Sequence, residues 1–130
     1  YTSDHGEDIF DDGRHLFLHA SPVPSYYQLH VPLLLWTSDS YREEYPGIEK
    51  AASMNRQKNI SSSISFFQTM MELAGIETPY RNDSLSVTSP LYTEKSRVYL
   101  NDHNEPRPLD DIGMRKEDFE MLKKRGIDAQ

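Results

Sequence analysis

Residues 1–36 read YTSDHGEDIFDDGRHLFLHASPVPSYYQLHVPLLLW, and the order of the pieces in this stretch decides the fold. Tyr1 and Thr2 have high strand propensity and Gly6 lets the backbone bend sharply, so Asp4 and His5 are expected where a strand ends in a turn. Asp offers an anionic oxygen and His a neutral imidazole nitrogen. That mixture suits Zn²⁺ better than Ca²⁺, which prefers oxygen alone. Two adjacent ligands do not complete a site, because catalytic zinc takes about three protein ligands and keeps one position for water or substrate. Taken by itself, Asp4-His5-Gly6 reads more simply as an exposed pair in a loop. The segments that follow change that weighing.

Behind Ser3-Asp4-His5-Gly6-Glu7 come an acidic, glycine-containing loop (Asp11-Asp12-Gly13), then Leu18-His19-Ala20-Ser21-Pro22, then His30-Val31-Pro32 running into Trp36. In this order the chain resembles the phosphoethanolamine transferases of the bacterial envelope, in the sulfatase-like branch of the alkaline phosphatase superfamily. The likeness extends more loosely to about residue 100, through the stretch from Ser63 to Ile76 and a final Arg97-Val98-Tyr99-Leu100. The chain departs from the family pattern at Ala20, where glycine is usual, and around residues 14–17, where the loop is longer and carries an extra histidine, His15.

The resemblance implies an α/β fold, an alkaline-phosphatase/sulfatase-like mixed sheet flanked by helices, with residues 1–130 as the C-terminal portion of the catalytic domain. It implies that Asp4 and His5 bind the catalytic Zn²⁺ and that His19 lies at the substrate phosphate or at a second metal position. Glu7 and His30 are candidates for the layer behind the ligands. The family's threonine nucleophile, an acidic ligand and a membrane anchor are expected upstream. The implied reaction moves phosphoethanolamine from phosphatidylethanolamine, a phospholipid donor, to the lipid A or core sugar of lipopolysaccharide, at the periplasmic side of the inner membrane.

Composition bounds the alternatives. A net charge of −7 with dispersed basic residues argues against a nucleic-acid partner, which normally needs clustered Lys and Arg. There is no cysteine, so disulfides contribute nothing and the redox compartment stays open. The longest apolar run, Val31 to Trp36, is interrupted by Pro32 and falls far short of the roughly 20 residues of a membrane span.

The rest of the chain reads as scaffold. Residues 8–25 are expected to be mainly loop, and residues 29–36 a strand buried on both faces, which favours a parallel or mixed sheet. Residues 37–59 are polar, with Pro46-Gly47 as a turn signal. Ser61, Ser62 and Ser63 offer N-caps for a core-facing helix over about 61–75, carrying Ile64, Phe67, Met70 or Met71, and Ala74 at helical spacing and stopped by Gly75. Residues 77–96 read as connection, 97–100 as a strand and 107–111 as a polar linker. A solvated terminal helix is expected over about 115–125, with Gly126 as C′.

His30, at the mouth of an apolar stretch, reads first as a buried, hydrogen-bonded residue. His15 is left open between a surface residue and a substrate contact. His103 reads as an exposed loop residue, and its pairing with Asp102 as chance. Neither Ser3 nor Ser21 stands beside a convincing base, so the chain alone is expected to show no turnover and to bind Zn²⁺ weakly. Within the same superfamily a sulfatase or phosphodiester hydrolase is the alternative, and a non-catalytic structural or binding piece is the reading from a different class.

Overall fold

Two serine caps and a proline set the starts of the first three helices. The computed structural model describes residues 1–19, 23–100, 103 and 105–127. The chain divides into two compact units, Tyr1–Leu33 with Ser96–Gln130, and Leu34–Lys95.

In the first unit, β1 (Asp8–Ile9) pairs antiparallel with β2 (Phe17–Leu18) in the register Asp8 to Leu18 and Ile9 to Phe17. Two carboxylates shape the connection: Asp11 accepts from the Ile9 N–H and Asp12 from the Arg14 N–H. The Phe10 and Phe17 rings stack with centroids 5.0 Å apart. One helical turn, α1 (Tyr26–Leu29), follows Ser25, whose side chain caps the Gln28 N–H. The expected loop over residues 8–25 is therefore in part a short ribbon, pinned by side-chain hydrogen bonds rather than by strand propensity.

A second antiparallel ribbon joins β3 (Val98–Leu100), where a strand is expected, to β4 (Pro106–Pro108), expected as linker. Two prolines fit because alternate residues of a strand point their N–H groups the same way. The Leu109 N–H donates to the Arg97 carbonyl, so Pro106 and Pro108 turn their missing donors outward to the edge. A 3₁₀ turn (Leu109–Asp111) then leads to the terminal helix, whose capping Gly126 has φ 68°.

Bounds for helices α2 to α5 run as follows: α2 Asp39–Glu44, α3 Pro46–Asn55, α4 Ser62–Leu73 and α5 Lys116–Lys124. The terminal helix is not the solvated helix of the sequence reading. Leu122 packs with Tyr26, Leu109 and Met114 in the core of the first unit, and Asp118 is fully buried.

In the second unit, the polar residues 37–59, whose composition suggests irregular backbone, hold the two helices α2 and α3. Ser38 caps α2, and Pro46 occupies the first turn of α3, where its missing N–H costs nothing. The helix over 61–75 is present as α4, but its buried positions are Ser65 and Thr69, while Phe66, Phe67 and Met70 are exposed. Polar bonding explains the reversal: the Thr69 hydroxyl donates to the Ser65 carbonyl and accepts from the Val87 N–H. Residues 86–89, read as connection, are buried against this face. Asn55 donates to the Val87 and Ser89 carbonyls, and Glu72 accepts from Ser86 and Thr88.

The expected strand over 29–36 is not formed. Thr2 makes a single antiparallel bridge with Leu33, and Leu33 to Trp36 are exposed. A strand buried on both faces needs cover on both, and among the described residues nothing supplies it. Both sheets among those residues are antiparallel and two-stranded, so the structure is a mixture of helices and small antiparallel sheets, without parallel pairing. No helix among the described residues is long and apolar enough to cross a membrane.

Candidate functional site

The turn that carries the Asp-His pair is held from below by the end of α1. The Gly6 N–H donates to the Gln28 carbonyl at 2.8 Å, and a Cβ on Gly6 would lie 1.9 Å from the Tyr27 carbonyl oxygen. Glycine is required here for close backbone approach, rather than for the sharp bend that the sequence reading assigned to it. Asp8, 2 % exposed, is the next anchor. It accepts from the Ser25 hydroxyl at 2.7 Å and from the Gln28 side-chain amide.

On this base the structure brings together His5, Glu7 and His19, with ligand atoms within 4.8 Å of one another. Glu7 precedes β1 and His19 follows β2, so the antiparallel pairing sets them side by side. His19 Nδ1 lies 2.7 Å from Glu7 Oε1, and the His5 and His19 rings are 4.1 Å apart. His5 Nδ1 lies 2.9 Å from the Gly6 carbonyl, which can only accept, so Nδ1 carries the proton and Nε2 keeps its lone pair. Glu7 imposes the same tautomer on His19. Both imidazoles thus have a lone pair to offer.

Asp4 stands beside His5 but outside this group. Its side chain is 88 % exposed, and its Oδ2 is 3.8 Å from His5 Nε2. Two donors about 2.0–2.1 Å from one tetrahedral ion stand roughly 3.4 Å apart, so a shift of a few tenths of an ångström would let both reach it. A second feature fits a cation: Glu7 Oε2 is buried without a hydrogen-bond partner among the described residues. The donors are of the oxygen and imidazole types that borderline divalent ions take.

Local charge favours the same ions. The Gly6 carbonyl raises the His5 pKa above its ordinary value; burial opposes it, and the Asp4 and Glu7 carboxylates add smaller upward effects. Backbone N–H groups of Asp4 and His5, then the His5 charge, lower the Asp4 pKa.

His30 lies elsewhere in the unit. Its Nδ1 is 2.6 Å from the Tyr26 hydroxyl and its ring is tilted against the Tyr26 ring. The residue is exposed rather than buried as expected, though hydrogen-bonded as expected. Partial desolvation, then the Arg125 and Arg97 charges, push its pKa below the ordinary 6.5. A depressed histidine stabilises the fold above its unfolded pKa, and the contribution is lost as pH falls through the lowered folded value. The melting temperature of His30→Gln is therefore expected to depend less on pH below about 6.5 than that of the parent, and an unchanged slope would refute the assignment.

The Ser3 hydroxyl is engaged with the His5 carbonyl at 2.7 Å. His15 is exposed with φ 55°, in the β1–β2 connection. Ala20, Ser21 and Pro22 lie outside the described residues, as does Asp102 of the Asp102-His103 pair. Sequence reasoning missed Gln28, and also the ion pair between Arg14 and Asp118, whose two bonds measure 2.7 and 2.9 Å. Its 104-residue separation gave no signal.

The chain belongs to the sulfatase family, whose pattern it matches over residues 1–76. Among curated proteins it is similar to the phosphoethanolamine transferase EptA of Salmonella typhimurium, 32 % identical over 93 residues, covering 69 % of this chain and 16 % of that protein. EptA of Escherichia coli is 34 % identical over 82 residues, 62 % of this chain and 15 % of the relative. The phosphoethanolamine transferase CptA of Salmonella typhimurium is 29 % identical over 111 residues, 85 % of this chain and 18 % of the relative. The chain thus spans less than a fifth of the length of these relatives. No solved structure matches it significantly.

Proposed function

We propose that the chain supplies part of the active site of a zinc-dependent transferase that moves phosphoethanolamine from phosphatidylethanolamine to the lipid A or core sugar of lipopolysaccharide. The observation that carries this reading is the convergence of His5, Glu7 and His19 beside Asp4, in a sulfatase-family chain similar to phosphoethanolamine transferases. In the whole protein these residues would sit on an alkaline-phosphatase/sulfatase-like mixed sheet flanked by helices. The catalytic domain would face the periplasm, anchored in the inner membrane by upstream segments.

Asp4 Oδ2 and His5 Nε2 would hold Zn²⁺, with further ligands from upstream. Bound there, the ion would supply Lewis acidity that activates a hydroxyl nucleophile and stabilises charge on phosphoryl oxygens. The Gly6 carbonyl keeps His5 Nδ1 protonated, so Nε2 stays available as a donor. Glu7 does the same for His19 and stabilises the imidazolium when Nε2 takes a proton. His19 Nε2 is then suited to accept the proton of an attacking hydroxyl, or to donate one to a departing phosphoester oxygen. General acid–base help of this kind is worth about 10²- to 10⁴-fold in rate. By resemblance the nucleophile is a threonine outside these residues.

The test uses the full-length protein. His5→Ala is expected to lower both zinc content and single-turnover rate, whereas His19→Ala keeps the zinc and slows transfer by about 10²- to 10⁴-fold. Full activity in His19→Ala, or full zinc occupancy in His5→Ala, would overturn the assignment. The family is that of the sulfatases, so a sulfatase-like hydrolase is the second reading. Product formation that depends on a sugar acceptor supports transfer; formation at the same rate with water alone supports hydrolysis.

A further inference from the structure

We propose that Gln28 is the positioning residue of the His5–Glu7–His19 cluster, holding His19 in the tautomer and orientation that a proton-transfer role demands. The proposal deepens the function above and rests on the reading of that cluster as catalytic. Gln28 is 6 % exposed and bonds next to every member of the cluster. Its backbone carbonyl accepts from the N–H of Gly6, the residue between His5 and Glu7. Its side-chain amide donates to the carboxylate of Asp8, the residue after Glu7, and at 3.3 Å to the carbonyl of Leu18, the residue before His19.

The Leu18 contact matters most. Leu18 has φ 64°, a left-handed conformation that a leucine keeps only where its surroundings over-determine it. That conformation directs the chain from β2 into His19. The amide of Gln28 meets this strained residue on one side and Asp8, beside Glu7, on the other. A single planar group therefore ties together the two strands whose ends present the Glu7 carboxylate and the His19 ring.

The two attachments can be separated. Gln28→Met keeps length and volume and leaves the backbone bond to Gly6 intact, but it removes both amide bonds. His5, held by the Gly6 carbonyl and by Asp4, should then be unaffected, while His19 loses its fixed geometry. In the parent chain, ring ¹⁵N spectra should show His5 and His19 both protonated at Nδ1. In Gln28→Met the His19 ring should populate the Nε2–H form as well, with the His5 pattern unchanged. In the full-length protein the same variant should keep its zinc and lose turnover by about tenfold or more.

Leu122→Ala serves as the stability control, because Leu122 lies in the core of the same unit and Gln28 makes no bond to it. It lowers the melting temperature without touching the amide bonds, so its His19 spectrum should remain that of the parent. A parent-like His19 ring in Gln28→Met overturns the proposal. So does a His19 ring disturbed equally in Leu122→Ala, which would make the effect one of general loosening. The spectra need no turnover. A full-length protein without phosphoryl transfer would sink the proposed function and leave the positioning result to be decided separately.

Discussion

Gly6→Ala is expected to be among the most damaging single substitutions in the chain, lowering stability by about 3 kcal/mol or more. The added methyl would sit 1.9 Å from the Tyr27 carbonyl oxygen and 3.2 Å from the Gln28 Cα. All of these are backbone atoms, so no rotamer change relieves the overlap. The turn and α1 must separate, and separation breaks the Gly6 to Gln28 hydrogen bond. His5 and Glu7 flank the displaced residue, so zinc binding should suffer as well, by at least about tenfold. Thermal unfolding and zinc titration of the variant test this together. A melting temperature and zinc affinity equal to those of the parent would show that the close approach is absent in solution.

The second large effect concerns Arg14 and Asp118, and the two partners should not be equivalent. Asp118 is fully buried; besides Arg14 it accepts from the Tyr26 N–H at 2.9 Å. Arg14 is partly exposed and also binds both oxygens of Asp12. These bonds to carboxylates raise the Arg14 pKa further above its ordinary value, so it stays charged at any working pH. Removing Asp118 leaves Arg14 paired with Asp12 and orphans one buried N–H. Removing Arg14 leaves a buried carboxylate with no cation, the costlier situation.

Arg14→Ala is accordingly expected to cost about 3–5 kcal/mol, and Asp118→Asn less. Combining Arg14→Met with Asp118→Leu should cost less than Arg14→Ala alone, because it leaves neither charge buried and unpaired. Denaturant titration of the three variants checks the order. An Asp118→Asn chain less stable than Arg14→Ala would reverse the argument.

How much of this was legible beforehand varies residue by residue. Asp4, His5 and His19 were singled out as candidates because their types and the motifs around them are local in sequence. Helix α4 and the Gly126 cap were legible for the same reason, since glycine stops act over a few residues, although Ser61 stands at the start of α4 without a side-chain cap bond. Helix α3 was missed because Pro46-Gly47 carries a turn signal and a helix-start signal at once, and only the capped turn of α2 before it decides between them. The apolar stripe of α4 misled because periodicity reports which residues share a face, whereas Ser65 and Thr69 are buried by hydrogen bonds with the polar segment around Val87.

By itself, then, the sequence determined the family, the residues able to bind a metal or move a proton, and the local starts and stops of several helices. These depend on side-chain chemistry and short-range backbone geometry. Only the tertiary structure decided that Glu7 orients His19, that Gly6 is needed for contact with α1, that Gln28 spans both strands, and that Asp118 closes on Arg14. Each of these is a contact between residues from 10 to 104 positions apart, or a steric limit imposed by another segment. Such contacts carry no periodic or local signal, because their geometry exists only once the chain has closed on itself.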